Sequence, residues 1–530
     1  MVDYRELEGT IDKISSKEDL RKYIDKLQIL VYNERSNERV LLMVEKTIEL
    51  SKEIRDDLSL IRLYSLKISH LHYSKKNLQT VKDLAEEIRT LSERLNYYDG
   101  MTLYHLHKWY IHKFEGNELL SKDSMKNATK YITRSVTNDE FIKFIYKYTF
   151  AFDNWVSSHD INCAKLFEEC IDYAYNNNLF RNLAQTLGIL SIIYIRTQNS
   201  KKILEISKKI IGDLLIVERM PVEVKALLYY FTGLGYMLEL NLNFSEKFFE
   251  KAYNILKLIY KKSSYFSNYV VIHSHMITVK ALQGKLEETG LIIKKVEDLL
   301  KEEISEERLD LGTRKQIYHT LNLNKFYVYS RLKDYESEKM KELIEEILVG
   351  SRTLYSNFML LSEFILNSNL PSARLEELLT IDNFSINRVK HIISFMLLKT
   401  KEEDSKEQKF LRRIEMLTNR EKASKTTFIE NAFIDLIIAQ QLFSLKKYGE
   451  IYFLLNKYKN QLHRIEVLEL RIFMEAFIQV GEYKSGNPLG PALQYMAIKK
   501  CRMYGFSRLE NILIDYLEIQ KQEVLGSVIK

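Results

Sequence analysis

The feature that most constrains this chain is a hairpin pattern returning roughly every 40 to 44 residues, a period that belongs to stacked helical solenoids. It is clearest where two apolar-periodic helices flank a tight turn. These are Tyr230-Phe231-Thr232-Gly233-Leu234-Gly235-Tyr236, a break at Asn241 to Asn243, then Phe248-Phe249-Glu250-Lys251-Ala252. With Gly233 as anchor, the equivalent first-helix positions are Ser69, Tyr110, Ala151 and Ser191 before it, and Ile277 and Phe326 after it. The second-helix positions fall on Ile88, Ala128, Cys170, Ile210, Ala252 and Val296. Further hairpin turns are expected at Gly116-Asn117, Gln283-Gly284-Lys285, Lys333-Asp334-Tyr335, Lys447-Tyr448 and Gly481-Glu482-Tyr483, the last two anchored around Ala439 and Glu475.

Four prolines in 530 residues leave little to stop a helix, and Pro221 stands where it would open one. Ser16 reads as an N-cap. The expected organisation is N-terminal helices over 1–56, repeats over 57–350, an irregular helical segment with a charged linker over 351–409, and further repeats with a capping helix over 410–530. Solenoid units touch only their neighbours, so no sharp boundary is expected, and the charged Lys399 to Lys409 is the best candidate for a break. Near the end, Gly486-Asn487-Pro488-Leu489-Gly490-Pro491 inserts a rigid loop. Beyond it, Leu509, Ile512, Leu513, Tyr516 and Leu517 form a cap, or a homodimer contact if they stay exposed.

No segment approaches about 18 uncharged apolar residues, and Met1-Val2-Asp3-Tyr4-Arg5-Glu6 lacks the basic-then-apolar order of a secretory signal. A cytoplasmic protein with no membrane partner is expected. Cys163 and Cys170 would lie about 10 Å apart along one helix, beyond disulfide reach, and with Cys501 they read as buried small hydrophobes. The histidine groups His70/His72, His105/His107/His112 and His273/His275 lack the spacing of four that puts two rings on one helical face. Neither metal nor cofactor is therefore expected. A net charge of +7 is mild, and pairs such as Lys201-Lys202, Lys208-Lys209 and Lys294-Lys295 are interleaved with Glu like solvated helix faces. Nucleic acid is not an expected partner. No Gly-rich phosphate loop and no Ser/His/Asp arrangement is visible, and the chain is not expected to be an enzyme.

Gly233, Phe249 and Ala252 match the small, aromatic and small positions of the tetratricopeptide repeat, and the pattern over residues 55 to 500 resembles that family. The units here exceed the family's usual length and lack its closing proline, which longer helices explain. The resemblance implies an all-α, right-handed superhelix of antiparallel helical hairpins with a C-terminal capping helix. The chain is also loosely similar in style to the intracellular peptide-pheromone receptors of Gram-positive bacteria and their phages, without their helix-turn-helix. Members of that group hold peptide backbone with inner-helix asparagines, a position matched by Asn322 and Asn324.

The resemblance also marks the positions that line the inside of such a superhelix. Counted from the anchors, they are Leu63, Leu66, His70 and Tyr73; Tyr104, His107, Ile111 and Phe114; Ile145, Tyr148, Phe152 and Trp155; Gln185, Gly188, Ile192 and Ile195; Leu227, Tyr230, Leu234 and Met237; Val271, Ser274, Thr278 and Ala281; Thr320, Leu323, Tyr327 and Ser330. None is Lys, Arg, Asp or Glu, although 28% of the chain is charged. Two explanations stand: core positions of a tight solenoid, or an aromatic groove accepting an apolar peptide or a partner helix. The groove residues would be Tyr104, Tyr148, Trp155, Tyr230, Met237, Asn322 and Tyr327, and the expected function is non-enzymatic binding of a peptide or protein partner, as a regulatory receptor or adaptor. One alternative is a helical ribonuclease or nucleic-acid-associated protein, because Arg314 and His319 have the arginine-x4-histidine spacing of the HEPN class; with 11 histidines about one such match is expected by accident. Another is a scaffold or sensor subunit of a larger defence-type assembly.

Overall fold

The computed structural model describes residues 4–34, 37–71, 77–137, 139–197, 199–259, 263–306, 311–329, 428–444, 446–484 and 490–506, with isolated positions 343, 346, 486, 510, 511, 513 and 514. Every regular element among them is helical, with no strand. In order these are α1 (Tyr4–Thr10), α2 (Lys17–Asn33), α3 (Glu38–Ile54), α4 (Asp57–Leu71), α5 (Leu78–Leu95), α6 (Tyr98–Phe114), α7 (Glu118–Ile132), α8 (Glu140–Ser158), α9 (Ala164–Asn176), α10 (Phe180–Arg196), α11 (Ser200–Gly212) and α12 (Leu214–Arg219). There follow α13 (Val222–Leu238), α14 (Leu242–Ile259), α15 (Ser263–Leu282), α16 (Leu286–Glu306), α17 (Leu311–Tyr329), α18 (Phe428–Ser444), α19 (Tyr448–Leu455), α20 (Leu468–Lys484) and α21 (Gly490–Met503). The segment around Lys399, the turn at Lys333 to Tyr335 and the residues Leu509, Ile512, Tyr516 and Leu517 lie outside the described residues.

With few prolines, side-chain caps and left-handed residues do the work of starting and stopping helices. Ser16, Asn37, Asn117, Asp139 and Asp213 each accept a backbone N–H of the helix they open. Arg55, Asn96, His159, Asn178 and Leu240 take positive φ near helix ends, as does Gly116 in the expected α6–α7 turn. Pro221 directly precedes α13, and its carbonyl accepts the Lys225 N–H at 3.0 Å. The hairpin register follows the repeat. Ile88, Ala128, Cys170, Ile210, Ala252 and Val296 lie on α5, α7, α9, α11, α14 and α16, each no more than 1% exposed. Side-chain bonds also recur at about one repeat length: Ser65 to His107 (2.8 Å), Trp109 to Asp153 (3.0 Å), Tyr175 to Asp213 (2.7 Å) and Asn324 to Thr278 (2.9 Å). Within each unit the hairpins joined by these bonds therefore pack on each other.

One expected turn is misplaced. Helix α20 runs through Gly481, Glu482 and Tyr483, and the chain turns at Gly486 instead. Gly481 is small because the Tyr452 backbone lies against it, 3.0 Å from where a Cβ would be.

The chain divides into two compact units: Met1–Tyr194 with Ile206–Lys225, and Ile195–Glu205 with Ala226–Lys530. In the first, the C-terminal half of α2 is buried nearly all round, at Leu27, Gln28, Leu30, Val31, Tyr32 and Asn33. The Tyr32 hydroxyl meets Ser69 on α4 at 3.2 Å, and its ring meets Phe141 on α8 edge-on at 5.3 Å. Asn33 donates to the Asn178 carbonyl, 145 residues away, at 2.7 Å. In the second unit one core runs from Ala226 to Ile514, and Leu513 is fully buried in it. The Asn243 N–H donates to the Glu466 carboxylate at 2.7 Å, a separation of 223 residues, and Leu468 and Phe506 press on Gly284. Contacts confined to neighbouring hairpins do not produce either closure. Both units depart from the simple solenoid in this respect.

Candidate functional site

Nearly half of the described members of the uncharged first-helix set are buried, while Phe114, Gln185 and Ile192 are exposed and the rest lie between. Leu63, Leu66, His70, His107, Ile111, Leu234, Ser274, Thr278 and Ala281 are buried, as are two proposed groove residues, Trp155 at 8% exposure and Met237 at 1%. Tyr104 and Tyr148 are half-buried and engaged between helices. Tyr104 donates to Glu86 on α5 at 3.2 Å; Tyr148 stacks on Phe152 at 6.3 Å and meets Phe167 on α9 at 6.1 Å. Asn322 donates to Glu346 at 2.6 Å, and Asn324 is fully buried, donating to Thr278 and to the Thr320 carbonyl. Both asparagines are thus committed within the chain. The side chain of Tyr327 lies outside the described residues.

Tyr230 is different. Its ring on α13 stands 5.7 Å from that of His275 on α15, at an interplanar angle of 69°, and 5.9 Å from Phe249 on α14. Burial pushes the Tyr230 hydroxyl well above the ordinary tyrosine range and the His275 imidazole below the ordinary histidine range. Both side chains nevertheless keep part of their surface in solvent. One turn earlier on each helix, Leu227 and Val271 are also half-buried, so helical periodicity extends the same uncharged wall. His275 Nδ1–H donates to the Val271 carbonyl at 2.9 Å, which fixes the ring and makes Nε2 its acceptor in the neutral form. The sequence pattern singled out Tyr230 and missed His275. Its signal was present, four residues after Val271 and hence on the same face.

The other constellations are dispersed or buried. Arg314 and His319 lie on the unbroken α17, where five residues place them about 140° apart around the axis, and His319 is only 6% exposed. Cys163, Cys170 and Cys501 are buried free thiols; burial pushes Cys163 up to about 11 and Cys170 up to about 12. Basic residues of the second helices pair with acids, as Lys209 does with Asp172 at 2.9 Å and Lys202 with Glu205 at 3.8 Å. Among the described residues no group of three His, Cys, Asp or Glu is placed to hold a metal, and no helix is long and apolar enough to cross a membrane. Compared with protein families and with curated proteins, the chain matches none.

Proposed function

We propose that this chain is a tetratricopeptide-like helical-repeat protein that binds a peptide or protein partner without catalysing a reaction, and that the recess at Tyr230 and His275 makes the contact. The observation that carries the proposal is the pair itself: a tyrosine and a histidine packed ring against ring and against Phe249, each residue still partly accessible to solvent. Tyrosine and histidine offer contact area with a polar handle, and a desolvated aromatic of this kind is what interface hot spots are made of. Leu227 and Val271 extend the wall for an apolar side chain of the partner. Within the second unit the repeat-spaced bond of Asn324 to Thr278 supports a rigid frame, so the recess is held before the partner arrives.

The test is selection of a random peptide library on the full-length protein, followed by calorimetry of an enriched peptide against Tyr230→Ala and His275→Ala. Enriched peptides should carry an apolar or aromatic residue, and each substitution should weaken binding by about tenfold or more with unchanged circular dichroism. No enrichment, or affinity indifferent to both substitutions, rejects the reading. Incubation with RNA beside His319→Ala separates it from the ribonuclease alternative.

A further inference from the structure

A second concavity lies wholly within the first unit. Ile29 and Leu30 at the end of α2, Phe180 at the start of α10, and Pro221 before α13 wall a cavity of about 60 Å³, room for roughly a three- or four-carbon alkyl group. Two charges of opposite sign, Glu34 and Arg219, line the same cavity. Among the described residues neither takes part in a direct ion pair, although Glu34 accepts the Asn37 amide at 2.6 Å and the Arg219 charge acts at longer range on Asp213.

The backbone repeats part of this polarity. Helix α2 ends at Asn33, so its partial negative end lies beside Glu34. Helices α10 and α13 both begin at the cavity, so partial positive ends lie at Phe180 and next to Pro221, while the short α12 ends there at Arg219, whose guanidinium offsets that helix's partial negative end. Asn33 joins the two sides. Its amide donates to the Asn178 carbonyl at 2.7 Å, and its oxygen accepts the Arg181 N–H at 3.4 Å. Asn178 also lines the cavity, and its own Oδ1 is sealed from water with no hydrogen-bond partner. An apolar slot lined by a carboxylate and a guanidinium, neither with an ion-pair partner in direct contact among the described residues, suits a small dipolar molecule with an aliphatic branch.

We propose that this cavity binds the α-amino-acid unit of a small aliphatic residue. The side chain enters between Leu30 and Phe180, the ammonium faces Glu34, and the carboxylate or carbonyl oxygen faces Arg219 and the start of α10. The proposal uses none of the residues of the Tyr230 recess, so either can fail alone. A free amino acid and the N-terminal residue of a peptide share this chemistry, and the test distinguishes them.

Calorimetry of the full-length protein with L-valine, Val-Gly-Gly and N-acetyl-L-valine provides it. Saturable binding of valine or Val-Gly-Gly is expected, with N-acetyl-L-valine, which lacks the ammonium, at least about tenfold weaker. Tighter binding of valine assigns the site to a free amino acid, and tighter binding of Val-Gly-Gly to a peptide N-terminus. Glu34→Gln and Arg219→Gln, both partly or fully exposed and therefore compatible with the fold, should each weaken binding by about tenfold. Failure of both free-ammonium probes to bind, equal binding of the acetylated one, or wild-type affinity in both variants overturns the proposal.

Discussion

The Phe249 ring lies against the backbone of Gly233 so closely that a Cβ on the glycine would fall 2.6 Å from Phe249 Cδ1. This contact sets the spacing of α13 and α14, and the Ser245 hydroxyl reinforces it by donating to the Gly233 carbonyl at 2.8 Å. Gly233→Ala should therefore destabilise, although alanine favours a helix by about 1 kcal/mol. Overpacking of this kind costs about 1–3 kcal/mol, and a net loss of about 1–2 kcal/mol is expected in urea denaturation. Adding Phe249→Leu should recover part of it, and strict additivity of the two would mean that the ring is not the obstacle.

Glu246 should govern acid stability in the second unit. Burial alone would raise its pKa, but hydrogen bonds from Lys280, Lys285 and Gln283 outweigh burial and hold it down at about 2. Lys280 and Lys285 reach it at 2.7 and 2.8 Å. Its folded value lies below the unfolded one near 4.5, so the stabilisation is complete above that value and is lost as pH falls from about 4.5 toward 2. Glu246→Gln should cost about 2 kcal/mol at pH 7 and flatten the stability profile across that window. An unchanged profile in denaturant titrations at pH 5 and pH 3 would contradict this.

A second window belongs to the histidines. Burial lowers His107 to about 3 and both His105 and His273 to about 4, from an ordinary 6.5. His107 bonds Ser65 at 2.8 Å and has no counter-charge among the causes of its shift. The folded chain resists protons that the unfolded chain accepts, so stability is full above pH 6.5 and falls as pH drops toward 4. Each fully buried site contributes a slope of up to about 1.4 kcal/mol per pH unit. His107→Gln should remove one such slope, measurable as a weaker pH dependence of the denaturation midpoint between pH 6.5 and 4.5.

The hairpins were legible because close helix packing demands small residues, and small residues at a fixed period survive as a pattern. Ala128, Cys170 and Ala252 carry that signal, and all are buried where the period placed them. The closures were not legible. Nothing local in Asn243 indicates that its N–H meets Glu466, or in Asn33 that it reaches the α9–α10 turn, because such contacts depend on the accumulated geometry of several hairpins. Freedom from charge was ambiguous for a physical reason: desolvation excludes ions equally from a closed core and from a recess. Tyr230 and Met237 lie seven residues apart on α13 with the same pattern, yet only Tyr230 reaches solvent.

Asn33 is the pin of the first unit. Asn33→Ala would strand the Asn178 carbonyl and the Arg181 N–H at once. Leaving such groups unpaired costs about 1–3 kcal/mol, expected as a lower thermal midpoint. Asn33→Asp keeps the acceptor for Arg181 but loses the donor, and should fall between alanine and the native residue. A midpoint unchanged in Asn33→Ala would show that the bond across 145 residues adds nothing to the fold.

Met237 and Tyr230 together separate core from contact surface. Met237 is 1% exposed in the second unit's core, so Met237→Ala should cost about 2–5 kcal/mol of stability through the cavity it leaves. Its effect on a bound peptide should then vanish once affinity is corrected for the folded fraction. Tyr230 is only partly buried, and no hydrogen bond of its hydroxyl is formed among the described residues. Tyr230→Ala should lose affinity out of proportion to stability. Parallel denaturation and calorimetry on the two variants decide the matter. If both lose stability and affinity in the same ratio, Tyr230 is a packing residue like Met237 and the recess is not where the partner binds.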